Sequence, residues 1–293
     1  MRHDSPLQPL TLALAAPAAP PTNTITLFCE SAAGRMMAAM IEPTGARYTL
    51  QPLLARNAVG LWRPQGNSVV VPGAMGYTAP TVVGTATARN VATTSFFSRL
   101  RRLGHVSVAT AGALAESRVA AAQVTLGAGS GLGGFTKIVR FGCSDAAAVA
   151  GARQFVGVSS SVAAATNVEP ATLLNSIGVG HGAADTNLKL FYGGSAAQAP
   201  IDLGVNFPAN TLSVDAYELA LFASPLLATS VGYRVTRLNT GAVASGILTA
   251  ATAGTQLPLN TTLLSYHKAW RTNNATALAV GLDIMSDYIE TEN

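Results

Sequence analysis

Residues 135–141, FTKIVRF, decide the fold. Lys137, Val139 and Phe141 fall on one face of an extended chain, Ile138 and Arg140 on the other. A period of two needs one covered and one wetter face, as in an antiparallel sandwich. The pattern returns at Val231, Tyr233 and Val235 around Arg234 and Thr236. It returns again at Leu278, Val280, Leu282 and Ile284 around Gly281, Asp283 and Met285. Further strands are expected near 153–158, 173–179, 187–192 and 211–222. In the last run the apolar set changes phase, from Leu212 and Val214 to Tyr217, Leu219 and Leu221, which predicts a bulge. Turns are marked by YGGS at Tyr192, NFPAN at Asn206 and LNTG at Leu238. The chain therefore reads as mainly β, with residues 135–293 forming an antiparallel β-sandwich head of the jelly-roll or lectin-like kind.

Upstream the signals weaken. Residues 1–30 are Pro-rich and polar, and read as an extended N-terminal arm that gains order on a neighbour. Residues 31–92 are interrupted by five prolines, with short β-compatible pieces at 46–50 and 68–71, and read as a small β-rich module. Residues 93–134 hold one short helix and a Gly-rich linker. In TTSFFSRLRRLG (93–104) Thr93 or Thr94 supplies a cap, and Phe96, Leu100 and Leu103 recur at helical spacing. Arg99, Arg101 and Arg102 complement the helix dipole, and Gly104 stops it. This stripe packs on its own domain or forms an oligomer contact. GAGSGLGG (127–134) reads as a flexible loop.

Composition limits the function. Only 32 of 293 residues are charged, while 49% are hydrophobic. Ordinary soluble domains carry about 25% charge. So quiet a chain suits a body whose surface is covered by copies of itself or by neighbours. Residues 1–118 carry 10 Arg, no Lys and 4 acids, net +6; residues 119–293 carry 8 bases and 10 acids, net −2. The Arg are isolated rather than striped, which speaks against nucleic acid. No apolar run is long enough for a membrane helix, and Leu10–Ala16 is followed at once by Pro17, Pro20 and Pro21. Cys29 and Cys143 lie far apart and suit free thiols of a reducing cytosol.

No motif announces catalysis, a metal or a cofactor. The G-x-G-x-x-G at Gly129, Gly131 and Gly134 precedes a strand, where a dinucleotide site needs a helix. His181 and Asp185 are spaced H-x-x-x-D, but the β pattern around them favours a hairpin loop held by Asp185 or Asn187. Asp202, Asp215, Glu218, Asp283 and Asp287 are the acids a sugar-cleaving pair would draw on. Trp270, Tyr266 and Tyr192 are the candidate receptor or glycan contacts, since flat rings stack on sugars. No enzyme is expected.

Seven blocks carry a resemblance. They are RFGCSDAA (140–147), FVGVSSS (155–161), NVEPATLLNSIGVGHGAADTNLKLFYGGSAA (167–197), IDLGVNFPANTLSVDAYELALFASP (201–225), YRVTRLNTG (233–241), DYIETEN (287–293) and, upstream, ATTSFFSRLRRLGHVS (92–107). In this order they resemble the C-terminal head, and the segment before it, of tail-fibre and other appendage proteins of tailed bacteriophages. The resemblance implies a virion component made in the host cytoplasm and commonly trimeric. Its N-terminal region would attach to other virion proteins, and its head would meet a host-surface glycan or protein. A capsid-decorating head fibre shares these features, and a polysaccharide depolymerase is the enzymatic alternative.

Overall fold

Alternating β-branched and aromatic residues do build the strands that the sequence singles out. The computed structural model describes residues 17–32, 35–41, 43, 47–49, 58–71, 74–127 and 133–291. The chain divides into two compact units, Met1–Leu53 and Leu54–Asn293. In the first, β1 (Thr26–Ala32), β2 (Arg35–Ile41) and β3 (Arg47–Thr49) form an antiparallel meander in that order. Phe28, Ala39 and Ile41 are its small core. Of the expected arm, residues 1–16 lie outside the described residues, and residues 26–30 belong to β1.

The second unit is a two-sheet sandwich. Its strands begin with β4 (Ala58–Trp62), β5 (Thr81–Val83), β6 (Thr85–Ala88), β7 (Leu103–Val106) and β8 (Leu114–Arg118). They continue with β9 (Phe135–Cys143), β10 (Arg153–Ser159), β11 (Ser176–His181), β12 (Lys189–Gly193) and β13 (Ile201–Asp202). The last are β14 (Tyr217–Ala223), β15 (Ser230–Arg237), β16 (Ala242–Thr249), β17 (Ser265–Thr272) and β18 (Gly281–Thr291). One sheet runs β13-β12-β11-β10-β17-β8-β5. The other runs β16-β15-β14-β9-β18-β7-β6, with β4 also paired to β18. Val139, Phe141, Leu219 and Leu282 from one sheet meet Val156, Ile177, Val179 and Leu190 from the other in a continuous core.

Three expectations need correcting. The boundaries expected at 92 and 134 fall inside the sandwich, because β4 to β8 are strands of its two sheets. The 93–104 helix is only four residues, Phe96–Arg99, capped by Ser95, whose hydroxyl accepts from the Ser98 N–H. It stops because Arg102 is drawn away: its Nε lies 3.0 Å from Asp283, and its Nη1 takes the carbonyls of Phe97, Ser98 and Leu100. The bulge expected in 211–222 is absent, since that strand starts only at Tyr217. The register shifts instead in β18, between Ile284 and Ser286, and where β10 meets β17, between Gly157 and Ser159. The first shift keeps both Ile284 and Asp287 on the inner face, opposite Phe141 and Val139. Most of the Gly-rich loop, residues 128–132, lies outside the described residues.

Candidate functional site

Of the residues expected to make outside contacts, Leu103, Tyr266 and Trp270 turn inward. Phe96 is 41% exposed, but Leu103 sits in the main core and Leu100 packs against Phe97, Ala216 and Met285. The three share no surface stripe, because the chain leaves the helix after Arg99. Gly142 lies directly under the Phe97 ring, where any side chain would collide with it.

Trp270 is 1% exposed and Tyr266 4%. Trp270 stacks on Phe155, centroids 6.2 Å apart, with Phe191, on the outer face of its sheet. Residues 160–175 seal that face. Glu116 accepts from the Ala165 N–H, Lys268 donates to the Ala163 carbonyl, and Leu173 and Ala165 pack on the rings. Neither ring is free to stack on a sugar. Tyr192 is half-buried against the main core. His181 and Asp185 do not converge: Asp185 accepts from the Gly182 N–H at 2.7 Å and pairs with Lys189, holding the hairpin as expected. Among the described residues no group of three His, Cys, Asp or Glu is placed to hold a metal ion.

The acids are likewise committed. Asp215 pairs with Arg237, Glu218 with Arg140, and Asp283 with both Arg89 and Arg102. Ten of the 32 charged side chains are buried among the described residues. The scarce charge is spent inside.

Two interior polar clusters account for much of it. The first centres on Arg271, which is fully buried. Its guanidinium forks onto Asp145, Nε at 2.9 Å and Nη2 at 2.5 Å, and reaches Asn210 at 2.7 Å. Its Nη1 lies 2.8 Å from His181 Nε2. His181 Nδ1 faces the Gly182 carbonyl, so the ring is a neutral tautomer with Nε2 accepting from Arg271. Burial first, then Arg271, push the His181 pKa down to about 3.

The second cluster joins the two sheets. Lys137 on β9 sits 2.5 Å from Asp287 Oδ1 on β18. Asp287 Oδ2 accepts from the Tyr77 hydroxyl at 2.7 Å and lies 2.5 Å from His267 Nδ1 on β17. His267 Nε2 is 2.9 Å from Ser117 Oγ on β8. Burial tends to raise the Asp287 pKa, but Lys137 and His267 together bring it below the usual carboxylate value. Burial lowers the Lys137 ammonium and raises Tyr77. Sequence reasoning did not find this cluster. Positions 77, 117, 137, 267 and 287 share no local spacing, and only the sheet register brings them together.

Ser117, His267 and Asp287 have the connectivity of a nucleophile–base–orienter triad. Ser117 is 1% exposed, however, inside a strand paired on both sides, and Asp287 is already neutralised by Lys137. A substrate acyl group has no approach to this hydroxyl in the folded sandwich.

Near this cluster, His105 is 1% exposed and neither ring nitrogen has a hydrogen-bond partner. Burial, then His267 and Arg89, lower its pKa from 6.5 to about 4. Both depressed histidines stay neutral in the fold while the unfolded chain takes up protons. Stability is therefore full above about pH 6.5 and falls as the pH drops towards about 4 for His105 and about 3 for His181. His105→Leu is expected to raise stability by about 1–3 kcal/mol at pH 7, since it removes an unsatisfied buried polar group. It should also flatten the acid slope. Urea titrations at pH 7 and pH 5 test this; equal losses in both proteins on acidification count against it.

The geometry defines a lectin-like antiparallel β-sandwich. No family model matches the sequence, and no curated protein matches it. Among solved structures, peanut lectin with a 9mer peptide aligns over 80% of this chain and 97% of its own, with a TM-score of 0.50 and 9% identity. Arcelin-5, a lectin-like defence protein from Phaseolus vulgaris, covers 80% of this chain and 98% of its own, with a TM-score of 0.48 and 8% identity. SO2946 from Shewanella oneidensis MR-1, described as a protein of unknown function, covers 80% and 86%, with a TM-score of 0.48 and 12% identity. At such identities the likeness is one of fold.

Proposed function

We propose that this chain is a non-enzymatic structural subunit of a bacteriophage particle, a tail-fibre or spike component whose sandwich faces the host surface. The observation that carries the reading is where the charge goes. With ten charged side chains buried, the exterior is even quieter than the composition suggests, and Val205, Ile247 and Val108 are exposed on it. The ordered block resemblance supplies the phage setting, and the lectin-like fold supports a glycan as receptor class. Antibody labelling of purified particles tests the location. Absence of the protein from the particle rejects the proposal.

Assembly has a specific candidate edge. The outermost strands β13, β5 and β6 have two, three and four residues, which limits stray pairing. The outermost strand β16 has eight residues, AVASGILT, with no charge and no proline, and Ile247 on it is 70% exposed. An edge this long and this uncharged is a template for a second strand. In this proposal a second copy covers it within a homo-oligomer, a trimer by the phage resemblance. Ile247→Lys is expected to shift the sedimentation coefficient to that of a monomer without changing the circular dichroism. An unchanged coefficient removes β16 from the interface.

A further inference from the structure

The contact between Lys137 and Asp287 has chemistry open to it beyond an ion pair. Both side chains are fully buried, and Nζ is 2.5 Å from Oδ1. Their strands are held in register from Phe135 to Arg140, with Asp287 opposite Val139 and Ile289 opposite Lys137. The two groups are therefore diagonal neighbours that cannot drift apart while the sheet is intact. Two buried ions carry a desolvation cost that falls away if a proton passes between them. Burial already lowers the Lys137 pKa. Lys137 and His267 hold the Asp287 pKa low, so the proton-transferred pair is the minor form: a neutral amine against a neutral carboxylic acid, fixed at contact distance with solvent water excluded. Proximity of this kind is worth a very large effective concentration.

The other carboxylate oxygen is equipped for the same chemistry. Oδ2 has the Tyr77 hydroxyl at 2.7 Å and His267 Nδ1 at 2.5 Å. His267 is itself fixed on its other side, with Nε2 2.9 Å from Ser117 Oγ. The Tyr77 hydroxyl thus stands ready to donate to negative charge developing on Oδ2, as an oxyanion-hole donor does, with the His267 ring packed beside it.

We propose that Lys137 and Asp287 condense into an intramolecular isopeptide bond that ties β9 to β18. The ammonium first passes one proton to Oδ1. The amine Nζ then attacks the Asp287 carboxyl carbon, and the negative charge gathers on Oδ2, facing Tyr77 and His267. A second proton moves from Nζ to Oδ1, the C–Oδ1 bond breaks, and one water leaves. One C–N bond forms, one C–O bond breaks, and nothing is oxidised or reduced. Oδ2 remains as the amide carbonyl. The link closes a loop across a separation of 150 residues. One cation and one anion disappear together, so the net charge is unchanged and mass is the readout.

The test is the mass of the purified full-length chain under denaturing conditions. The expected result is a chain lighter than its sequence by one water, and a protease digest containing a branched peptide that joins Lys137 to Asp287. Lys137→Arg should restore the full mass and migrate more slowly than wild type in SDS, because the wild-type chain cannot fully extend. His267→Gln keeps both reacting groups but removes the imidazole that lies against Oδ2, and full-mass chain should persist in it. A folded wild-type protein at full sequence mass overturns the proposal. So does a water loss that maps to any other pair of residues.

Discussion

Replacing Arg271 by Met is expected to lower the unfolding free energy by about 3–5 kcal/mol, the range for breaking a buried ion pair from one side. Asp145 would be left in the interior without its cation. The Gly281 N–H would still donate to it at 2.7 Å, and that one bond does not neutralise a carboxylate. His181 and Asn210 would each lose the donor they face. Arg271→Lys is expected to recover only a minor part of the loss. A single ammonium cannot fork onto Asp145 and also reach His181 and Asn210, which lie in different directions. Urea unfolding at pH 7 measures both variants. A loss below about 1 kcal/mol for Arg271→Met, the level of an exposed pair, would show that the cluster is not a structural anchor.

Trp270→Ala is expected to cost about as much, about 3–5 kcal/mol, by opening a cavity between Phe155 and Phe191. The same substitution should leave any binding to immobilised glycans unchanged at temperatures where the variant is folded, because the ring is sealed beneath residues 160–175. Loss of glycan binding with unaltered melting would reverse this assignment and return Trp270 to the surface. Of the three aromatic candidates only Tyr192 is partly accessible, so a sugar contact is better sought there than at Trp270 or Tyr266.

These cases show what the sequence could carry. The strands at 135–143 and 230–237, and the first part of 281–291, were legible because apolar residues recur there at every second position. Strand β17, SYHKAWRT, was not. All eight of its residues are buried, yet its inner face is polar and its outer face is sealed by a loop, so no alternation survives. The pieces at 58–62, 81–88, 103–106 and 114–118 were too short to betray that they complete the same sheets. The apolar stripe of Phe96, Leu100 and Leu103 misled for a definite reason. Helical spacing assumes a continuing helix, and the pull of Asp283 on Arg102 ends it after one turn. The charge deficit was read correctly as a count but not as a location. Low charge suggested a surface covered by copies or neighbours, and gave no sign that Lys137, Asp145, Arg271, Asp283 and Asp287 are all inside.

The placement of β18 between β9 and β7 has a consequence for how the protein is made. This strand ends at residue 291, yet it is the central rung on which β4, β7 and β9 all depend. The growing polypeptide carries unmatched strands until residue 291 has emerged, and the sandwich closes only after that rung arrives. Closure of the sandwich therefore waits on pairings of long sequence separation, between 58–62 or 103–106 and 281–291, and such pairings make folding slow.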